Sequence, residues 1–145
     1  MENRKSFLEL KVVWKDNDMF ELKVTASNGR FSGMTEVYDT TESLSSLARS
    51  LSNFPTVIKT LLHEAGEKDS YSYFSMMFYP VGRSGLIGVL INLEENVATE
   101  YRPEEKDKIK LEIIVELNSI DNFQKELLGI AINQKGTVVL NGHDT

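Results

Sequence analysis

The side chains best suited to catalysis are few and scattered. The chain has no cysteine and two histidines, His63 and His143. Without thiols there is no disulfide, no thiolate metal site and no cysteine nucleophile. Neither histidine has a partner at a metal-ligand spacing such as His-Glu-x-x-His. His63 is expected near a helix end in a solvated or capping role, and His143 in the C-terminal tail. No Gly-x-Ser-x-Gly elbow, P-loop or dinucleotide glycine motif occurs. Gly82-Arg83-Ser84-Gly85 has the composition of a phosphate cradle, but it follows Pro80 and reads as a hairpin turn. No catalytic, metal or cofactor-binding residue is assigned, and no cofactor is expected.

Carboxylates are the plentiful reactive group. Asp and Glu number 22 against 16 Lys and Arg, a formal net charge of -6. Nucleic-acid binding draws much of its affinity from neutralising phosphates, so this balance argues against it. The same charge would attract a basic protein partner, or it serves solubility alone. One like-charge pair is expected: Glu21 opposite Glu36, away from the core. Such a pair would suit a cation or a basic partner, unless Lys11 and Lys23 offset it.

That pairing rests on a hairpin over Phe20 to Tyr38, with Asn28-Gly29 as a type I′ turn. The turn sets Ser27 against Arg30, Ala26 against Phe31 and Leu22 against Thr35. Phe20, Leu22, Val24 and Ala26, opposite Val37, Thr35, Gly33 and Phe31, form the core face. Met19, Glu21, Lys23, Thr25 and Ser27 lie on the other face with Tyr38, Glu36, Met34, Ser32 and Arg30. A preceding strand, Phe7 to Trp14, joins them through Asp16-Asn17-Asp18, with Trp14 inward against Phe20 and Leu10 against Val24.

A helix is expected over Thr41 to Ser52, where Leu44, Leu47, Ala48 and Leu51 make one stripe, Asp39-Thr40-Thr41-Glu42 supplies N-cap candidates, and Asp39 with Glu42 has capping-box spacing. Thr56 to His63 reads as a short helical turn and Glu64 to Ser70 as a loop. Strands follow at Tyr71 to Tyr79 and Leu86 to Leu93, then a charged connection from Glu94 to Lys108, read as containing strand ends or an exposed loop at Arg102 to Asp107, and a strand from Ile109 to Leu117. A second helix, capped by Asn118 or Ser119, runs from Ile120 to about Ile132 with Ile120, Phe123, Leu127 and Leu128 inward. Thr137 to Leu140 closes the fold, and Asn141 to Thr145 is expected to fray. The predicted fold is a single α+β domain over residues 1–145. It is an antiparallel sheet of about six to seven strands with two helices on one face, in the order βββ-α-βββ-α-β.

With both helices on one side, the opposite side would show Met19, Glu21, Met34, Glu36 and Tyr38, and from the second half Tyr71, Tyr73, Met77 and Tyr79. Tyrosine and methionine are enriched at protein interfaces, so this face is the candidate interaction surface, for a partner or for a homodimer. The alternative is that the flanking charged loops fold over it. No apolar run is long enough to span a bilayer and no signal-peptide core opens the chain, so a cytoplasmic location is expected.

Two stretches, Ser27 to Tyr38 (SNGRFSGMTEVY) and Leu44 to Pro55 (LSSLARSLSNFP), resemble a family of small uncharacterised bacterial proteins. The shared pattern is an N-terminal hairpin ending in Gly29-Arg30-Phe31-Ser32-Gly33, then a Leu-rich helix ending in Phe54-Pro55. The resemblance covers the first 55 residues, and beyond them only the order of elements. Such small acidic domains loosely resemble immunity proteins of bacterial toxin systems. This implies a non-enzymatic module that binds a basic toxin, and it supplies no active-site residue. The alternative expectation is a small-ligand-binding domain or an enzyme with a pocket between sheet and helices.

Overall fold

The computed structural model describes residues 5–66, 71–96 and 106–143. The chain is α+β, in the order β1 (Ser6–Lys15), β2 (Phe20–Asn28), β3 (Ser32–Asp39), α1 (Thr41–Leu51), β4 (Leu61–Gly66), β5 (Ser72–Val81), β6 (Leu86–Asn96), β7 (Lys106–Glu116), α2 (Leu117–Asn133) and β8 (Thr137–Asn141). The expected single sheet is two four-stranded antiparallel sheets, ordered β3-β2-β1-β8 and β4-β5-β6-β7. Alternation marks a strand and its faces but not its neighbours, so it could not separate one sheet from two. It also hid β4. The run Val57, Ile58, Leu61, Leu62 imitates helical spacing, but β4 buries alternate residues, His63 and Ala65. Of the expected loop over 64–70, residues 64–66 are therefore strand, and 67–70 lie outside the described residues.

The two sheets meet where β3 crosses the second one. A Cβ on Gly33 would come within 3.0 Å of Ile109 Cγ2 on β7 and 3.6 Å of Leu93 Cδ1 on β6. Glycine here is what allows the close approach. The Thr35 hydroxyl donates to the Glu94 carbonyl at 3.2 Å. Val37 packs on Gly66 of β4, and Asp39 reaches His63 on the same strand. In seven residues β3 thus passes from β7 and β6 across to β4, so it crosses the second sheet rather than running along one of its strands.

One core fills the angle between the sheets. Leu8, Phe20 and Leu22 of the first sheet, Phe74, Phe78 and Ile91 of the second, and Phe123 of α2 are all buried in it. Phe78 lies 6.2 Å from Phe54 and 6.3 Å from Phe123, ring centre to ring centre. Each such ring is worth roughly 1.5–3 kcal/mol relative to exposure. α1 buries Leu44, Leu47, Ala48 and Leu51, as its spacing predicts. Of the expected candidates its N-cap is Thr40, whose Oγ accepts from the Ser43 amide. α2 starts at Leu117, ahead of the expected caps, and buries Ile120, Phe123, Leu127, Ile130 and Ala131. The helices pack on each other, and Thr41 ties them by donating to the Ala131 carbonyl at 2.8 Å.

Three local expectations are corrected. In the β2–β3 hairpin the loop is Gly29-Arg30, because the Asn28 amide donates to the Phe31 carbonyl and Asn28 Oδ1 accepts from the Arg30 and Phe31 amides. The register is Ala26 with Gly33 and Leu22 with Val37, two residues from expectation. An even shift leaves every side chain on its expected face, but Phe31 slides past the end of the ladder and is 65% exposed. In β1 a bulge at Val13 turns Trp14 outward to pair with Glu21, so Trp14 leaves the core while Leu10 keeps Val24. The tail is ordered through His143. Gly142 donates to the Ser6 carbonyl, and the His143 amide donates to the Ile114 carbonyl, joining the two sheets.

Candidate functional site

The nine candidate interface residues do not share one surface, because the second sheet is separate. Met34, Glu36 and Tyr38 stand on the outer face of the first sheet with Glu21. Cross-strand rows there read Trp14–Glu21–Tyr38 and Lys11–Lys23–Glu36. The expected Glu21–Glu36 pair is broken by the two-residue shift, and Glu36 faces Lys23 instead. Trp14 and Tyr38 meet edge to face at 6.0 Å over Glu21. Met19 sits in the β1–β2 turn, where its carbonyl accepts from Asp16. The Asp16 carboxylate accepts from the Asp18 and Met19 amides, which holds its pKa below the usual carboxylate value.

Tyr73, Met77 and Tyr79 lie on the outer face of the second sheet, and two of them are already committed there. The buried Tyr73 hydroxyl donates to Glu64 at 2.6 Å; burial first, then that carboxylate, pushes its pKa up. The Tyr79 ring lies over Gly88 and its hydroxyl donates to Glu112. Met77 fills the row between Leu62 and Leu90.

Tyr71, which precedes β5, departs from this group. It is 74% exposed and faces the first sheet across a groove of about 660 Å³ lined by Glu21, Glu36, Tyr38, Tyr71, Ser72, Glu95 and Asp107. Four of the nine candidates therefore converge, joined by two residues, Glu95 and Asp107, from the expected charged connection. Glu95 and Asp107 are directly opposed on β6 and β7, so the like-charge pair sought at Glu21 and Glu36 exists here. The signals in the sequence are the charge density of the 94–108 segment and the strand ends expected within it. Nothing in it showed that its two ends pair, and residues 97–105 lie outside the described ones. A second cleft of about 410 Å³ continues past Glu95 and Asp107 along β3, walled by Phe31, Gly33, Met34, Leu93 and Ile109. Chemically the groove offers carboxylates beside exposed aromatic rings, the pairing that recognises ammonium and guanidinium groups.

The other polar cluster lies at the far end of the crossing. His63 Nε2 donates to Asp39 Oδ2 at 2.9 Å, and Asp39 Oδ1 accepts from the Thr40 amide at 2.8 Å. Both side chains are buried, with the imidazole 6.5 Å from the Phe74 ring. The expected solvated histidine is thus a buried cross-link between the sheets. A groove of about 320 Å³ beside it is lined by Ser43, Ser46 and Ser50 of α1 with Leu61 to Glu64 of β4. Among the described residues no set of His, Asp and Glu is arranged to hold a metal ion, and no helix is long and apolar enough to cross a membrane. Compared with protein families, with curated proteins and with solved structures, the chain matches none.

Proposed function

We propose that the chain is a non-enzymatic, cytoplasmic protein-binding module whose partner presents a basic surface, in the manner of an immunity-type protein blocking a basic toxin. The observation that carries this reading is the groove in which Glu21, Glu36, Glu95 and Asp107 converge beside Tyr38 and Tyr71. Opposed carboxylates cost stability in the free chain, and a cationic partner would relieve that cost. Exposed Trp14, Met19 and Met34 on the same side extend the contact with residue types that favour interfaces.

The test is capture of a partner from source cells, then binding of the purified pair. A basic partner whose affinity falls with salt, and by about tenfold or more on Glu36→Lys with Asp107→Lys, supports the reading. A captured partner indifferent to both salt and charge reversal would sink it. One observation favours a second reading, a small polar ligand held in the serine-lined groove beside His63. It ranks lower because the His63 Nε2 is already engaged by Asp39 and Glu64 by Tyr73. Ligand-induced chemical shifts at Ser43, Ser46 and His63, with none at Tyr38, would favour it.

A further inference from the structure

We infer that the basic partner binds as an extended strand added to the free edge of β3; this rests on the basic-partner reading above. β3 ends its sheet, and among the described residues no strand pairs with its outer side. The direction of its backbone groups follows from the hairpin. Asn28 donates to Phe31, so this is a hydrogen-bonded pair, and such pairs alternate along an antiparallel ladder. Gly33, Thr35, Val37 and Asp39 are then bonded to β2. The N–H and C=O groups of Ser32, Met34, Glu36 and Tyr38 point away from it. These are the β3 residues whose side chains face outward, and all four line the two continuous clefts. The unpaired edge and the clefts are therefore the same place.

The lining sets the chemistry of the added strand. Its side chains would alternate between the two faces of the extended sheet. On the outer side they would meet Glu36 and Glu21, with Tyr38. On the inner side they would meet Phe31, Leu93 and Ile109, in a cleft also lined by Glu95, Asp107 and Lys108. An alternating basic and apolar segment satisfies both, with main-chain bonds giving affinity and the pockets giving selectivity. A second copy of this chain fits worse. Edge-to-edge pairing would bring two sets of Glu36, Glu95 and Asp107 together on chains of net charge -6.

The experiment uses an eight-residue capped peptide of alternating lysine and valine, matched to the length of β3. Its controls are the same peptide N-methylated on alternate residues, in both phases, and a glutamate–valine version. Binding is followed by amide exchange and chemical shift in the full chain. Strand addition requires that the lysine peptide bind, that it slow exchange at the Met34 and Glu36 amides by about tenfold or more, and that one N-methylated phase lose about tenfold in affinity. Met34→Pro, which removes an N–H not bonded to β2, is expected to keep the fold and lose the peptide. The peptide controls stand if that variant does not fold. Equal binding of both N-methylated phases overturns strand addition while leaving a basic partner in place. Preference for the glutamate peptide, or no binding, overturns both. Slow exchange at Met34 and Glu36 in the free chain overturns strand addition, because the edge would already be taken. A concentration-dependent dimer lost in Met34→Pro, with no response to the lysine peptide, overturns it in favour of self-pairing.

Discussion

The two ends of the β3 crossing handle carboxylates in opposite ways. At the Asp39 end the carboxylate is buried and both oxygens are used, by His63 and by the Thr40 amide. At the Gly33 end Glu95 and Asp107 sit opposed at an open groove. The same residue class is structural at one end and available at the other. Burial decides which, because an ionised carboxylate out of water must be paired, while one in water can wait for a partner.

Breaking the sealed end should have the largest effect. His63→Ala leaves the Asp39 carboxylate buried with one oxygen unpaired, and a loss of about 3–5 kcal/mol is expected in denaturant unfolding. Retained stability would mean that solvent already reaches Asp39. In the crossing itself, Gly33→Val puts carbon where Ile109 Cγ2 stands 3.0 Å away, and a loss of about 1–3 kcal/mol is expected by thermal unfolding. An unchanged midpoint would show that the sheets can part at this point without cost. The open end should respond least, and in the other direction. Asp107→Asn removes one member of the like-charge pair and should stabilise by roughly 0.2–1 kcal/mol at low salt, fading as salt is added. Destabilisation there would show that Asp107 is a structural group after all.

The positions of every described strand but β4, the two apolar helix stripes and the faces of the β2–β3 hairpin were legible in the sequence. Each depends on a period of two or of 3.6 residues, which local sterics enforce. The hairpin also shows why such legibility is robust. Its register was displaced by two residues, yet Leu22, Val24 and Val37 stayed inward. What failed were properties that parity does not protect. The alternation predicts Trp14 in the core, because a bulge at Val13 leaves no mark in it. Phe31 was placed there because its face was right and its distance from the end of the ladder was not.

The candidate site was legible in halves. Glu21, Glu36, Tyr38 and Tyr71 were singled out from residue type and face. They were grouped with Tyr73, Met77 and Tyr79 on the premise of one sheet. Asp39 and His63 are 24 residues apart, and nothing in their surroundings along the chain announces the other. Their pairing depends on where α1 delivers the chain before β4 begins.

By itself the sequence determined that this is an acidic α+β chain without thiols, built from strands with one apolar face and helices with one apolar stripe. Those properties are local, since charge and periodicity need no knowledge of distant residues. Only the tertiary structure decided that the strands divide into two sheets, that β3 crosses the second, and that among the described residues no strand pairs with its outer edge beside Glu95 and Asp107. Strand order and inter-sheet contact join residues far apart along the chain, as Leu8 with Leu140, Thr35 with Glu94 and Gly33 with Ile109. Which distant partners meet is settled by how the whole core packs, and no local pattern encodes it.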